Sequence, residues 1–157
     1  MDVGTVSVRM NEDEFAPTKP RSKPRRMTLL DMPWLSYLGR KRYPKKFDAE
    51  MTEQWFRVNV LPNPLMYYAC RTDNAFCIVF VTTFPWLPAD PELNLSFLCA
   101  DEGAIWEAVD CYRDCLEFAK RRGVKKWDIG SITDYNLRSI AKRIGANEER
   151  IHYRGDV

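Results

Sequence analysis

Between Leu93 and Ser131 the chain alternates in a way that leaves few folds open. In "LNLSFLCA" (93–100), Leu93, Leu95, Phe97 and Cys99 fall on one side and Asn94 and Ser96 on the other, the period of a half-buried strand. An acidic turn, "DEGA", comes next. Ile105, Ala108, Val109, Tyr112, Leu116 and Ala119 then mark one stripe of a long helix. The helix closes on Lys120, Arg121, Arg122 and Gly123, with cations at its negative end and a glycine to stop it. "KKWDIGSI" is a second strand. A helix joining two strands crosses over right-handed, so the strands at 93–100 and 126–131 are expected to be parallel neighbours.

The segments upstream extend this sheet. "LMYYACRTDNAFCIVFVTTF" contains two apolar runs around "RTDN", which reads as a hairpin in which Asp73 and Asn74 take the turn. Phe76 to Val81 is apolar on both faces, as a central strand must be. Pro85, Pro88 and Pro91 make "PWLPADPE" a stiff loop containing Trp86. Between Asp48 and Val60 a helix is expected, with Met51, Trp55 and Val58 on its inner face and Pro62 and Pro64 ending it. "LLDMPWLSYL" reads as a shorter helix, with Asp31 near its cap, Pro33 in the first turn and Gly39 at its end. Downstream, Thr133 or Asp134 caps a helix ending at Gly145. "RIHYRGDV" is a candidate last strand, and Thr5 to Met10 a candidate first one. The fold class is α/β (α+β), a mixed central sheet flanked by helices.

Charge is concentrated near the start. The net charge is only +2, too small to imply nucleic acid by itself. Lys19, Arg21, Lys23, Arg25 and Arg26, interleaved with Pro17, Pro20 and Pro24, form a basic arm, and "GRKRYPKK" a second cluster. Two readings stay open for the arm. It is a solvated extension, or it docks on protein partners in an assembly or on nucleic acid. The expected organisation is an arm with a short helix over residues 1–47 and a folded domain over 48–157.

The five cysteines contain no CxxC pair, and His152 is the single histidine, so no metal site is expected. Small buried hydrophobes in a reducing compartment are the first reading of these cysteines, and disulfides in an oxidising medium the second. No apolar run is long enough to span a bilayer. The N-terminus lacks the pattern of a secretory signal, so synthesis in the cytoplasm is expected.

The order of elements, together with "YRDCLEFAKRRGVKKWDIGSITDYNLRSIAKRIGA", resembles the GNAT (Gcn5-related N-acetyltransferase) superfamily from about Leu65 to Val157. The close "AKRIGA" (141–146) is similar to that of acetyltransferase-like proteins of tailed bacteriophages. The resemblance implies acetyl-CoA lying between two central parallel strands, here those ending near Ala100 and Ser131. Its pyrophosphate would sit on the turn before the long helix, which makes Cys99, Ala100, Gly103 and Ala104 the cofactor-binding candidates. Of the three fixed positions of that turn, Ala100, Gly103 and Ile105 here, only Gly103 matches. Ile105 is expected to obstruct the phosphate, and Asp101 and Glu102 to repel it. The family's general-acid tyrosine falls at Ala141, which has no proton to give, and Asp134 replaces the customary asparagine. Tyr135, Tyr112 and Tyr153 are substitutes for the acid. Glu92, which could relay a proton through water ahead of the fourth strand, is the candidate base. Asn94 and Ser96 would line the cleft.

Two functions follow from the resemblance, and the basic arm alone suggests a third, a nucleic-acid-binding accessory. The first is a structural or assembly component of a tailed phage particle, incorporated in the virion, with a degenerate site and no bound cofactor. The alternative is an active acetyl-CoA-dependent N-acetyltransferase acting on a primary amine.

Overall fold

The computed structural model describes residues 20–84, 87–128 and 143–145. A five-stranded sheet runs in the order β1 (Arg25–Arg26), β2 (Tyr67–Arg71), β3 (Ala75–Phe84), β4 (Leu87–Ala100) and β5 (Lys126–Asp128). The first four strands are antiparallel in succession, and β5 lies parallel to β4 with Leu93 opposite Trp127. The parallel pair read from the sequence is therefore present. Helices α1 (Met32–Arg42) and α2 (Ala49–Trp55) cover one face, and α3 (Ile105–Arg121) covers the other.

Each face has its own core. Against α3 lie Cys77, Val79, Leu93 and Leu98, packed on Val109, Tyr112, Cys115 and Phe118. Against α1 lie Phe76, Ile78 and Cys99, packed on Met32, Leu35, Leu38 and Phe56. Strand β3 feeds both cores, which is why it is apolar on both sides. The hairpin turn closes through the Thr72 hydroxyl, which accepts from the Ala75 N–H at 3.0 Å. No non-glycine residue there or elsewhere among the described residues needs positive φ.

Four expectations are corrected. Strand β4 does not alternate through its whole length. Ile78 pairs with Phe97 and Val79 with Leu95, so Ser96 is the extra residue of a β-bulge. Leu93 and Leu95 face α3, and so does Leu98, while Phe97 and Cys99 turn to α1. The proline-rich segment is mostly strand rather than loop. Pro88 and Pro91 lie in β4 before its pairing with β5 begins at Glu92, where a missing N–H breaks no ladder bond.

Helix α2 presents a different face. Met51 is 67% exposed and Val58 62%, whereas Phe56 and Val60 are buried. Val58 lies in a π-helical segment, Phe56–Val60, closed by the Leu61 N–H on the Phe56 carbonyl, which changes its direction around the axis, while Met51 faces outward on α2 itself, where no residue is fully buried. Gly39, expected at a helix end, lies inside α1. A Cβ there would collide with the Phe47 ring, so this glycine makes room for an aromatic side chain.

The second half of the basic arm belongs to this fold. Arg25 and Arg26 pair with Arg71 and Cys70, the Met27 N–H bonds the Ala69 carbonyl, and Met27 is buried. The anchor is Asp31. Its carboxylate, buried at 4% exposure, accepts from both arms of the Arg25 guanidinium, from Arg71 at 3.2 Å and from the Thr28 N–H at 2.8 Å. Arg71 also lies 3.3 Å from the centroid of Trp34. Burial acts to raise the Asp31 pKa, but the Arg25 hydrogen bond, the Thr28 N–H and the two cations outweigh it and hold the carboxyl below its usual 3.8.

A depressed carboxylate pKa gives stability that is complete above the unfolded value and lost as pH falls through the lower folded value. Acid titration followed by circular dichroism should show wild-type protein losing stability below about pH 4. Asp31→Ala should cost about 3–5 kcal/mol at neutral pH and flatten that acid limb, because it leaves Arg71 buried without its counter-charge. Gly39→Ala should lower stability by about 1–3 kcal/mol in the same denaturant assay, by forcing Phe47 from its seat.

Candidate active site at the β4–α3 turn

The turn 101–104 joins the two elements that the sequence singles out. Asp101 holds it from both sides. Its N–H donates to the Asn74 carbonyl and its own carbonyl accepts from Ala104. Gly103 sits at φ +73°, the left-handed region, with nothing within 4 Å of where a Cβ would stand. Ala104, the N-cap of α3, makes no side-chain cap bond. The N–H groups of the first turn, Ile105 to Glu107, have no acceptor within the helix. An open, left-handed, uncapped helix start of this kind attracts anions.

The acids of the turn are engaged from the other direction. Lys41 Nζ lies 2.8 Å from Asp101 Oδ1, and Arg42 Nη1 lies 3.5 Å from Glu102 Oε1. Both cations come from the last turn of α1. The Lys41 hydrogen bond holds the Asp101 carboxyl below its usual value against the opposing effect of burial, with help from the Glu102 N–H and Arg42. The turn therefore carries two acids and two bases side by side. Ile105 does not stand over it, since its side chain packs on the α3 core. Both physical objections to a phosphate at this turn, the repulsion and the obstruction, are thereby reduced.

Below the turn, β4 pairs with β5 along only part of its length among the described residues. Pairing with β5 spans Glu92 to Asn94, and beyond Asn94 no strand pairs on that side of β4 among the described residues. Exposed Ser96 bulges from this stretch. Glu92 lies inside β4 rather than ahead of it, opposite Thr82 of β3 and Lys126 of β5. Asn94 donates to the Thr82 hydroxyl and to the Glu92 carbonyl. By strand alternation Glu92 and Asn94 share a face, the one opposite Leu93 and Leu95, and Thr82 joins them from β3. A polar trio thus stands four residues or fewer from the bulge.

The other candidates are distributed as follows. Gly103 and Ala104 are at the turn. Ala100 ends β4 opposite Ala75. Cys99 is buried towards α1, and burial pushes its thiol up to about 12, with Asp101 adding to that rise and Arg42 opposing it. It is packing, and contributes backbone only. Tyr112 is fully buried against α3's core, edge-on to Trp127, away from the turn. Tyr135, Asp134, Ala141, His152 and Tyr153 lie outside the described residues, as does Lys19 of the arm. Of the remaining arm cations, Arg25 grips Asp31, Arg21 reaches Asp110 at 3.6 Å and Arg26 lies over the Tyr68 ring. Lys23 has no partner among the described residues.

Sequence reasoning missed Lys41 and Arg42 as partners of the turn and Thr82 as a partner of Asn94. The signal for the first was present, since a basic helix end and an acidic turn are complementary. Nothing local reports the second, which depends on strand register.

An antiparallel meander with one parallel strand added through a helix defines a mixed-sheet α/β protein. The chain has the fold of the GNAT acetyltransferases. Solved structures of the same fold include glucosamine-6-phosphate N-acetyltransferase from Arabidopsis thaliana, with a TM-score of 0.68 and 11% identity over 88% of this chain and 99% of that one. A predicted acetyltransferase from Clostridium acetobutylicum, solved with acetyl-CoA, gives 0.67 and 14% over 85% and 95%. An aminoglycoside acetyltransferase from an uncultured soil metagenomic sample, in complex with sisomicin, gives 0.62 and 14% over 86% and 95%. No protein-family profile matches the sequence, and no curated protein does. No helix among the described residues is long and apolar enough to cross a membrane.

Gly103 is the residue the turn can least replace. Gly103→Val should cost about 1–2 kcal/mol of stability in urea unfolding, although there is space for the side chain, because φ is left-handed. Gly103→Asn, which tolerates that region, should cost less than half as much.

Proposed function

We propose that the protein is an acyl-CoA-dependent N-acyltransferase acting on an amine. The observation that carries this reading is the β4–α3 turn. Its left-handed glycine is open, its helix start is uncapped, and its acids are engaged by Lys41 and Arg42. Such a turn can accept a pyrophosphate through the backbone N–H of Gly103 and of the first turn of α3. Bound acyl-CoA supplies a thioester whose acyl carbon is open to an attacking amine.

The chain's own residues then have three tasks. The edge of β4 beyond Asn94, which no strand pairs among the described residues, offers backbone groups along which an extended chain can lie. The Ser96 bulge, left out of the ladder, provides further free backbone groups at the same edge. The Glu92 carboxylate takes a proton from the attacking amine, directly or through water, while Asn94 ties the Glu92 carbonyl to the Thr82 hydroxyl and fixes this part of the strand. That the arm's second half is a strand and an anchor within its own domain removes one support for the assembly reading.

Calorimetry of the full chain with acetyl-CoA tests this. Saturable heat at or below about 1 mM cofactor is expected, within the usual range of substrate affinities. Glu92→Gln should leave that heat unchanged and lower acetyl transfer to primary amines by about 10²–10⁴-fold. Absence of both heat and thermal shift would overturn the reading and favour a non-catalytic part in a particle.

A further inference from the structure

Four of the five cysteines meet in the α3-facing core. Cys70 and Cys77 are register partners on β2 and β3, and Cys111 and Cys115 stand one helical turn apart on α3. All four are fully buried. Cys70 Sγ lies 3.7 Å from Cys115 Sγ and 3.2 Å from the Cys111 carbonyl oxygen. Among the described residues no group of cysteine, histidine or acidic side chains is arranged to hold a metal ion, so the thiols are left to one another.

We propose that Cys70 and Cys115 are an oxidative cross-link site, at which a peroxide converts the two thiols into a disulfide joining β2 to α3. The sulfurs already touch, and a bond needs an approach from 3.7 Å to about 2.05 Å. Cys77 is the competitor for Cys115. It sits on β3, held by β2 on one side and β4 on the other. Cys70 sits on β2, whose outer edge is covered, among the described residues, by the two residues of β1 and the Met27 N–H. The small shift required is available to β2 and not to β3.

The step balances. One thiol loses its proton, and its sulfur attacks a peroxide oxygen. The O–O bond breaks, giving a sulfenic acid and, with that proton, one water. The second sulfur then displaces the sulfenic oxygen, which leaves with the second thiol proton as another water. Two thiols are oxidised by two electrons and one peroxide is reduced. Burial pushes the Cys115 thiol well above its usual range, so the closed core is slow to react and the reaction proceeds through opening of the short β1–β2 edge. The inference does not rest on the acyltransferase reading.

The full chain is treated with hydrogen peroxide, remaining thiols are alkylated, and the protein is digested without reductant for peptide mass mapping. The expected product joins the Cys70 peptide to the Cys115 peptide. The melting temperature should rise by about 5–10 °C, since the bond closes a long loop, and reductant should reverse the rise. Cys77→Ala and Cys111→Ala should retain the link and Cys70→Ala should abolish it; if these variants do not fold, the wild-type map decides alone. A link from Cys115 to Cys77, sulfinic acid without a link, or five alkylated thiols after unfolding would each overturn the proposal.

Discussion

One buried carboxylate organises the N-terminal half of this molecule. Asp31 is surrounded by Arg25, Arg71 and the Thr28 N–H, and each contact fixes a different element. Arg25 brings in β1, Arg71 belongs to β2, and Thr28 lies just before the helical turn that opens α1. An ionised group at this depth would be costly if any of these left. The start of α1 is thus tied to the edge of the sheet, and α1 is directed across it. Its far end delivers Lys41 and Arg42 to the turn after β4. The charge state of the candidate site is in this way linked to a salt bridge at the opposite end of the helix.

The sheet's middle was legible because its patterns are local. Phe76 to Val81 is apolar on both faces because β3 is covered on both faces, and the stripe from Ile105 to Ala119 is the buried side of α3. The parallel pairing of β4 with β5 followed from handedness alone. What was not legible involves one-residue changes of phase. The Ser96 bulge and the π segment at Phe56–Val60 each add a residue, and a periodicity argument assumes that none is added. Val58 was placed inside on that assumption and is exposed. Gly39 shows a different limit, since a helix-ending glycine and one that admits a neighbouring ring look the same in sequence.

The candidate site was half legible. The position of the turn came from the strand–turn–helix pattern, and Gly103 stands in it at a left-handed φ. The meaning of Asp101 and Glu102 did not, because their partners are about 60 residues away and a charge read without its counter-charge has only half its context. The backbone of the arm was not legible for a similar reason. Arg25 and Arg26 do carry exposed side chains, but their pairing with β2 and the burial of the neighbouring Met27 depend on residues more than 40 positions away.

The strand order, β1 to β5 without interruption, also has a consequence for how the chain acquires its shape. Strands β2, β3 and β4 are joined by short turns and pair as a meander, so their contacts close small loops. Strand β1 meets β2 only after the whole stretch holding α1 and α2 has been looped out, and β5 meets β4 only across α3. The two ends of the sheet are therefore the entropically expensive closures, and contact-order reasoning assigns them to the end of folding. The turn that receives Lys41 and Arg42 is built early with the meander, but its charges are neutralised only when α1 docks late. The acids of the turn and the cations that meet them thus belong to different closures of the chain, brought together only when α1 docks.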